Sequence, residues 1–150
     1  VEKFAKVMNK EAKALGATKS HFVNANGLPD EKHYTSVYDM YLIFNEALKY
    51  DTVNEIISMT SYDTVYTDKN GNEKTLSVKN TNQYLAGNVA APDRVTVIGG
   101  KTGTTSAAGN CLILLARDTS GNPYIAVILK SAERGILYTE MNALLKQATS

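Results

Sequence analysis

Beyond Thr60 the spacing of apolar residues changes from every third and fourth position to alternation, and this change constrains the fold class more than any single residue does. Before it, Phe4, Val7, Met8, Ala12 and Leu15 recur at helical spacing and Gly16 follows as a stop. Ser36-Val37-Tyr38-Asp39 resembles a capping box, and Met40, Ile43, Phe44, Ala47 and Leu48 make a second helix. A shorter third helix is predicted over Asp51 to Met59. Between the first two helices, Asn24, Asn26, Gly27, Pro29 and Asp30 supply turn chemistry, so Phe22 to Tyr34 reads as an ordered surface loop.

After the change, Thr64 to Thr67 and Thr75 to Val78 flank Asp68-Lys69-Asn70-Gly71-Asn72, which predicts a β-hairpin with an Asn-Gly turn. Val95 to Ile98, Leu112 to Ala116 and Ile125 to Leu129 are apolar runs of strand length. The last two are joined by the turn Thr119-Ser120-Gly121-Asn122-Pro123, so these runs are expected as adjacent antiparallel strands. Leu137, Met141, Leu144, Leu145 and Ala148 close the chain as a helix on that sheet. The expectation is an α+β fold, an antiparallel sheet flanked by helices, in one unit spanning residues 1–150. The first helix begins with no cap ahead of it, which suggests that the chain was cut from something longer.

Composition excludes several functions. Sixteen basic and fifteen acidic side chains leave a formal charge of +1, so no electrostatic footprint for nucleic acid or anionic lipid exists. Cys111 is the single cysteine and no Cys/His cluster has metal-site spacing, so no cofactor, metal or internal disulfide is expected. Cys111 itself enters an apolar run and reads as a buried thiol. No apolar run approaches a membrane span and no signal peptide is evident, so any export signal would lie outside this chain.

One segment carries chemistry: Gly99-Gly100-Lys101-Thr102-Gly103-Thr104-Thr105. A phosphate-binding loop does not fit it, because Val95 stands where that motif needs glycine, and Ala107-Ala108-Gly109-Asn110 leads into a strand, not a helix. Lys101-Thr102-Gly103 instead resembles the Lys-Thr-Gly triad of penicillin-recognising serine enzymes. Its surroundings are similar to the D-Ala-D-Ala carboxypeptidases, the low-molecular-weight penicillin-binding proteins. The matching runs are His21-Phe22-Val23-Asn24 to Gly27-Leu28, His33-Tyr34-Thr35-Ser36 to Asp39-Met40, Asn80-Thr81-Asn82 to Leu85, and Ala108-Gly109-Asn110-Cys111-Leu112.

The resemblance implies part of a β-lactamase/transpeptidase-like fold, an acyl-enzyme mechanism, and peptidoglycan stem peptides ending in D-Ala-D-Ala as substrate. β-Lactam antibiotics would bind as mimics of that peptide, and the parent would work outside the cytoplasm, at the cell envelope. Lys101 and Thr102 would hold the peptide's carboxylate, Gly103 would admit its backbone, and the Thr104 N–H would supply half an oxyanion hole. Thr105 is a further substrate-binding candidate. Arg134 is either a carboxylate ligand or a solvated arginine at a helix start.

The departures matter equally. No serine has lysine three residues later, so the family's Ser-x-x-Lys nucleophile is absent. The one Ser-x-Asn, Ser120-Gly121-Asn122, sits in a strand-joining turn and reads as turn chemistry. The chain is therefore expected to be the C-terminal portion of a catalytic domain, inert alone. A serine β-lactamase fragment and a non-catalytic cell-wall-binding module are the alternatives. A sheet edge exposed by truncation could drive self-association. His21 and His33 are expected to serve loop hydrogen bonding, and Tyr62, Tyr66 and Tyr84 to pack on a sheet face.

Overall fold

A computed structural model describes residues 1–148 of the chain. The elements run α1 (Glu2–Ala14), α2 (Val37–Ala47), α3 (Asp51–Ser58), β1 (Ser61–Thr67), β2 (Glu73–Lys79), β3 (Val95–Thr105), β4 (Gly109–Asp118), β5 (Pro123–Ser131) and α4 (Arg134–Gln147). The α+β expectation holds, with the strands divided between two antiparallel sheets, β1-β2 and β3-β4-β5.

The three-stranded sheet is covered on both faces, and β4 shows why. Its alternation sends Leu112, Leu114 and Ala116 towards α4, where they meet Leu137, Tyr138, Met141 and Leu145. Ile113 and Leu115 face the other way, towards Phe44 of α2 and Ile57 of α3. Each large apolar side chain buried this way contributes roughly 1.5–3 kcal/mol, so β4 is the keel of the fold.

β3 is longer than its apolar run. Past Ile98 it continues through Gly99-Gly100 to Thr105, so Lys101-Thr102-Gly103 lies inside a strand opposite Ile113, Leu112 and Cys111. The two glycines permit this. A Cβ on Gly99 would stand 2.7 Å from the Ile57 carbonyl oxygen, and one on Gly100 would stand 2.2 Å from that of Ile113. Backbone pairing and close approach hold this stretch, so no apolar period betrays it.

The first helix corrects another expectation. Ala5 and Ala12 are its buried residues, whereas Phe4 and Val7 point to solvent. α1 is fastened chiefly through the following loop. Asn9 Nδ2 donates to the Phe22 carbonyl at 2.7 Å while the Phe22 N–H donates to Asn9 Oδ1 at 2.7 Å. Gly16, with φ of 85°, ends the helix as expected.

At α2, Ser36 caps as predicted and its side chain accepts from the Asp39 N–H. The reciprocal half of the box is missing, because the buried Asp39 carboxylate accepts instead from the Lys19 N–H and from Ser20 Oγ, both at 2.7 Å. Burial alone would raise that carboxyl, but the hydrogen bonds from Ser20, Lys19 and Ser36 outweigh it and hold it below its ordinary value.

The loop ahead of α2 is ordered by its own side chains. Asn24 Oδ1 accepts from Gly27 N–H and Asp30 Oδ1 from Lys32 N–H. His21 Nδ1 donates to the Lys32 carbonyl and the Val23 N–H donates to His33 Nδ1, so both imidazoles work within the loop.

Candidate active site

The end of β3, the start of β4 and the start of α4 converge on one cleft of about 290 Å³. Lys101, Thr102, Gly103 and Thr104 form one side, Asn110 and Cys111 the adjoining strand, and Arg134, Leu137 and Tyr138 the helical side. Thr81, from the segment after β2, completes it, its Oγ1 lying 2.5 Å from Thr102 Oγ1. Among the described residues no aspartate or glutamate lines the cleft, whereas Lys101 and Arg134 both do. Two cations without a lining carboxylate make the cleft suited to a small anion.

Each wall has a local cause. The Lys101 ammonium donates to the Thr102 carbonyl, which keeps its charge close to the strand. A Cβ at Gly103 would meet nothing within 4 Å, so the space beside that backbone is open. β3 pairs with β4 alone among the described strands, leaving its outer edge free beside the cleft. Thr104 pairs with Asn110 in register, and Asn110 Nδ2 donates to the carbonyls of Ser131 and Ala132, both at 3.3 Å. That amide ties the β3–β4 turn to the end of β5.

Thr81 is placed by a relay that reaches α4. The Asn82 N–H donates to Asn80 Oδ1 and the Tyr84 N–H to Asn82 Oδ1, folding the segment on itself. The buried Tyr138 hydroxyl accepts from the Gln83 N–H at 2.9 Å and pins that fold to the helix. Tyr84 packs edge-on against Tyr138, centroids 5.2 Å apart, and its hydroxyl donates to Asn142 Oδ1. Burial, and secondarily Tyr138, push the Tyr84 phenol above its ordinary value, so it stays protonated as that donor.

Of the expected site residues, Lys101, Thr102, Gly103, Thr104 and Arg134 come together in this cleft. Thr105 does not line it: its Oγ1 accepts from the Ala108 N–H and shapes the β3–β4 turn. Cys111 is half-buried, not buried, because the register slips between Asn110 and Leu112 and opens the strand at the cleft mouth. Across from it Lys130 adopts φ of 62° and donates its N–H to Cys111 Sγ. Tyr62 and Tyr66 are exposed on the hairpin instead of packed on a sheet face, whereas Tyr84 packs, from a turn, against the core cluster of β4 and α4. Thr81 and Asn110 stood in the sequence only inside the matching runs, without a site role, and Tyr138 carried no signal. A tyrosine on the apolar face of a helix reads as core, and its hydroxyl's partner lies 55 positions away in sequence.

Residues 1–133 match the family described as D-alanyl-D-alanine carboxypeptidase. The chain belongs to that family. It is 36% identical over 146 residues to the D-alanyl-D-alanine carboxypeptidase DacF of Bacillus subtilis, covering 93% of this chain and 34% of DacF. The Streptomyces K15 DD-transpeptidase crystal structure superposes with a TM-score of 0.80 at 27% identity, covering 97% of this chain and 52% of that one. A D-alanyl-D-alanine carboxypeptidase structure from Mycobacterium tuberculosis, 21% identical over 96% of this chain and 52% of that one, shares the fold at a TM-score of 0.77. The chain thus spans about a third of the curated DacF sequence and about half of each structural neighbour. In this chain the strand that contains Lys101-Thr102-Gly103 walls the cationic cleft.

Proposed function

We propose that the chain forms the carboxylate-binding wall of a serine D-alanyl-D-alanine carboxypeptidase acting on peptidoglycan stem peptides at the cell envelope. The observation that carries this reading is Lys101, Thr102 and Arg134 in one cleft that no described Asp or Glu lines, walled by the Lys-Thr-Gly strand of a carboxypeptidase-family chain. The C-terminal carboxylate of D-Ala-D-Ala is the anion such a cleft suits. Lys101 and Arg134 pair with it and the Thr102 hydroxyl donates to it. Gly103 and the free edge of β3 accept the peptide backbone as an added strand. The Thr104 N–H then polarises the scissile carbonyl as charge develops on its oxygen.

The serine that attacks that carbonyl comes from a Ser-x-x-Lys segment of the parent, so residues 1–150 form one part of a catalytic domain and are inert alone. In the parent the serine hydroxyl passes its proton to its lysine and forms an ester with the penultimate D-alanine. Terminal D-alanine leaves, and water then cleaves the ester. Penicillin acylates the same serine as a mimic of the peptide. In the isolated chain, the unpaired outer edge of β5 and the exposed Tyr38 and Tyr41 beside it support self-association, read as a mass increase with concentration in light scattering.

The test is Lys101→Ala in the parent, followed by fluorescent-penicillin acylation and D-alanine release. Both rates should fall about 10²–10³-fold, as for loss of one positioned electrostatic group. Unchanged rates would remove Lys101 from the site and the reading with it.

A further inference from the structure

We propose that the outer edge of β2 pairs with the same edge of a second copy of the chain, antiparallel about Leu76, so that two hairpins join into one four-stranded sheet. The contact is separate from the β5 edge and does not depend on the reading of the Lys101–Thr104 cleft.

The edge is open and in phase for pairing. Among the described strands β2 pairs with β1 alone, it is exposed along its whole length, and none of its residues joins either core cluster. Free edges are usually blunted by a proline, a bulge or a charge that an added strand would leave unpaired. Glu73–Lys79 contains no proline, and its register with β1 runs without a shift. The Asn80 N–H donates to the Thr60 carbonyl and the Asp68 N–H to the Asn72 carbonyl, so the even-numbered residues of β2 turn their backbone groups towards β1. Glu73, Thr75, Ser77 and Lys79 therefore turn theirs outwards, free to pair with another strand.

Charge then selects both the occupant and the register. A twofold antiparallel pairing centred on Leu76 sets Glu73 opposite Lys79 of the second copy, and Lys79 opposite its Glu73. Thr75 meets Ser77 between them, and Leu76 meets its own counterpart. Opposite charges, hydroxyl pairs and apolar pairs opposed in this way each favour strand association. Moving the centre to Thr75 or to Ser77 puts Ser77 or Thr81 opposite Glu73, and both charges go unanswered. The outer edge of β1 has no such complement: Asp63 is its one charged residue, so no self-pairing sets a cation against it. In the joined sheet the ion pairs lie on the polar face, while Leu76 extends the face that carries Tyr62 and Val78. Each copy offers this edge once, so the assembly closes at two.

The experiment is a charge swap in the full-length protein, read by sedimentation equilibrium. One strand pair is a small interface and binds weakly, so the protein is followed from about 1 μM to about 1 mM. Wild type should dimerise within that range. Glu73→Lys sets like charges against Lys79 of the second copy, and Lys79→Glu does the same against Glu73, so each alone should weaken dimerisation about tenfold or more. Both positions are exposed and lie opposite the neutral Thr67 and Ser61 of β1, so the hairpin itself survives either change. Mixing the two variants restores opposite charges at both ends, and the mixture should form a heterodimer with the wild-type Kd. A wild type that stays monomeric throughout would overturn the proposal and leave the edge to a different chain. Dimers that neither substitution weakens would show that the copies meet elsewhere, as at the β5 edge. Two weakened variants that do not recover on mixing would refute the register about Leu76.

Discussion

The two sheets contain the same turn. Asp68-Lys69-Asn70-Gly71-Asn72 closes β1 on β2, and Asp118-Thr119-Ser120-Gly121-Asn122 closes β4 on β5. In each the aspartate Oδ1 accepts from the N–H groups two and four residues on, and the glycine sits at φ of 84°. The turns being alike, the sheets differ in strand number and in what covers them. β4 and β5 are packed on both faces, whereas β2 is exposed along its whole length. Turn chemistry sets the register of a hairpin, and tertiary packing supplies its stability.

The sharpest way to break this contrast is a glycine of each sheet. Gly100→Ala forces a Cβ to 2.2 Å from the Ile113 carbonyl oxygen inside the packed sheet, where neither backbone can yield. The expected cost exceeds about 4 kcal/mol, enough to unfold the chain. At Gly71 a Cβ meets nothing within 4 Å and only the left-handed φ opposes it, so Gly71→Ala costs about 1–2 kcal/mol, confined to the hairpin. Urea denaturation followed by circular dichroism separates the two. Equal losses would show that the hairpin and the packed sheet fold as one unit.

A leucine of each sheet gives the next largest difference. Leu114 is fully buried between the sheet and α4, so Leu114→Ala removes transfer energy and leaves a cavity, about 2–5 kcal/mol in all. Leu76 is 46% exposed on β2, and its replacement by alanine should change stability by less than about 0.5 kcal/mol. A loss at Leu76 comparable with that at Leu114 would mean that the hairpin face is buried in solution.

The same division decides what the sequence made legible. Where packing is periodic, periodicity reports it. The runs from Leu112 to Ala116 and from Ile125 to Leu129, and the α4 positions Leu137, Met141 and Leu145, all fall in the core as their spacing predicts. Where cohesion comes from backbone approach or from one distant polar contact, spacing is silent. β3 past Ile98 is built on glycines, Asp39 answers Lys19 and Ser20 instead of its own helix end, and Tyr138 holds Gln83. The first helix misleads for a related reason: Phe4 and Val7 make an apolar stripe that no described element covers. In the cleft, the motif residues were readable because their types are chemically peculiar. Thr81 and Asn110, common polar residues at strand ends, were readable only as members of longer matching runs, not as parts of the site.

The smallest predicted effect uses acid to compare the turns directly. Asp118 is held below its ordinary carboxyl value by the Asn122 side chain and backbone N–H, and Asp68 by the backbone N–H groups of Asn72 and Asn70. A carboxyl lowered in the folded state stabilises that state above its unfolded value. The contribution is lost as pH falls through the folded value. Both turns should therefore be at full strength at pH 5 and weaken as pH drops below the ordinary value of 3.8. The readout should differ between the sheets. Amide exchange in β1 and β2 should rise locally with Asp68 protonation, because no packed face adds to the strand pairing that holds that hairpin closed. Protonating Asp118 should lower the global transition while exchange in β4 stays tied to it, because packing on both faces keeps the strands together until the whole sheet opens. Asp68→Asn and Asp118→Asn should each remove the corresponding acid dependence. Local opening of β4 and β5 in acid ahead of β1 and β2 would reverse the assignment, making the turn and not the packing the source of that sheet's stability.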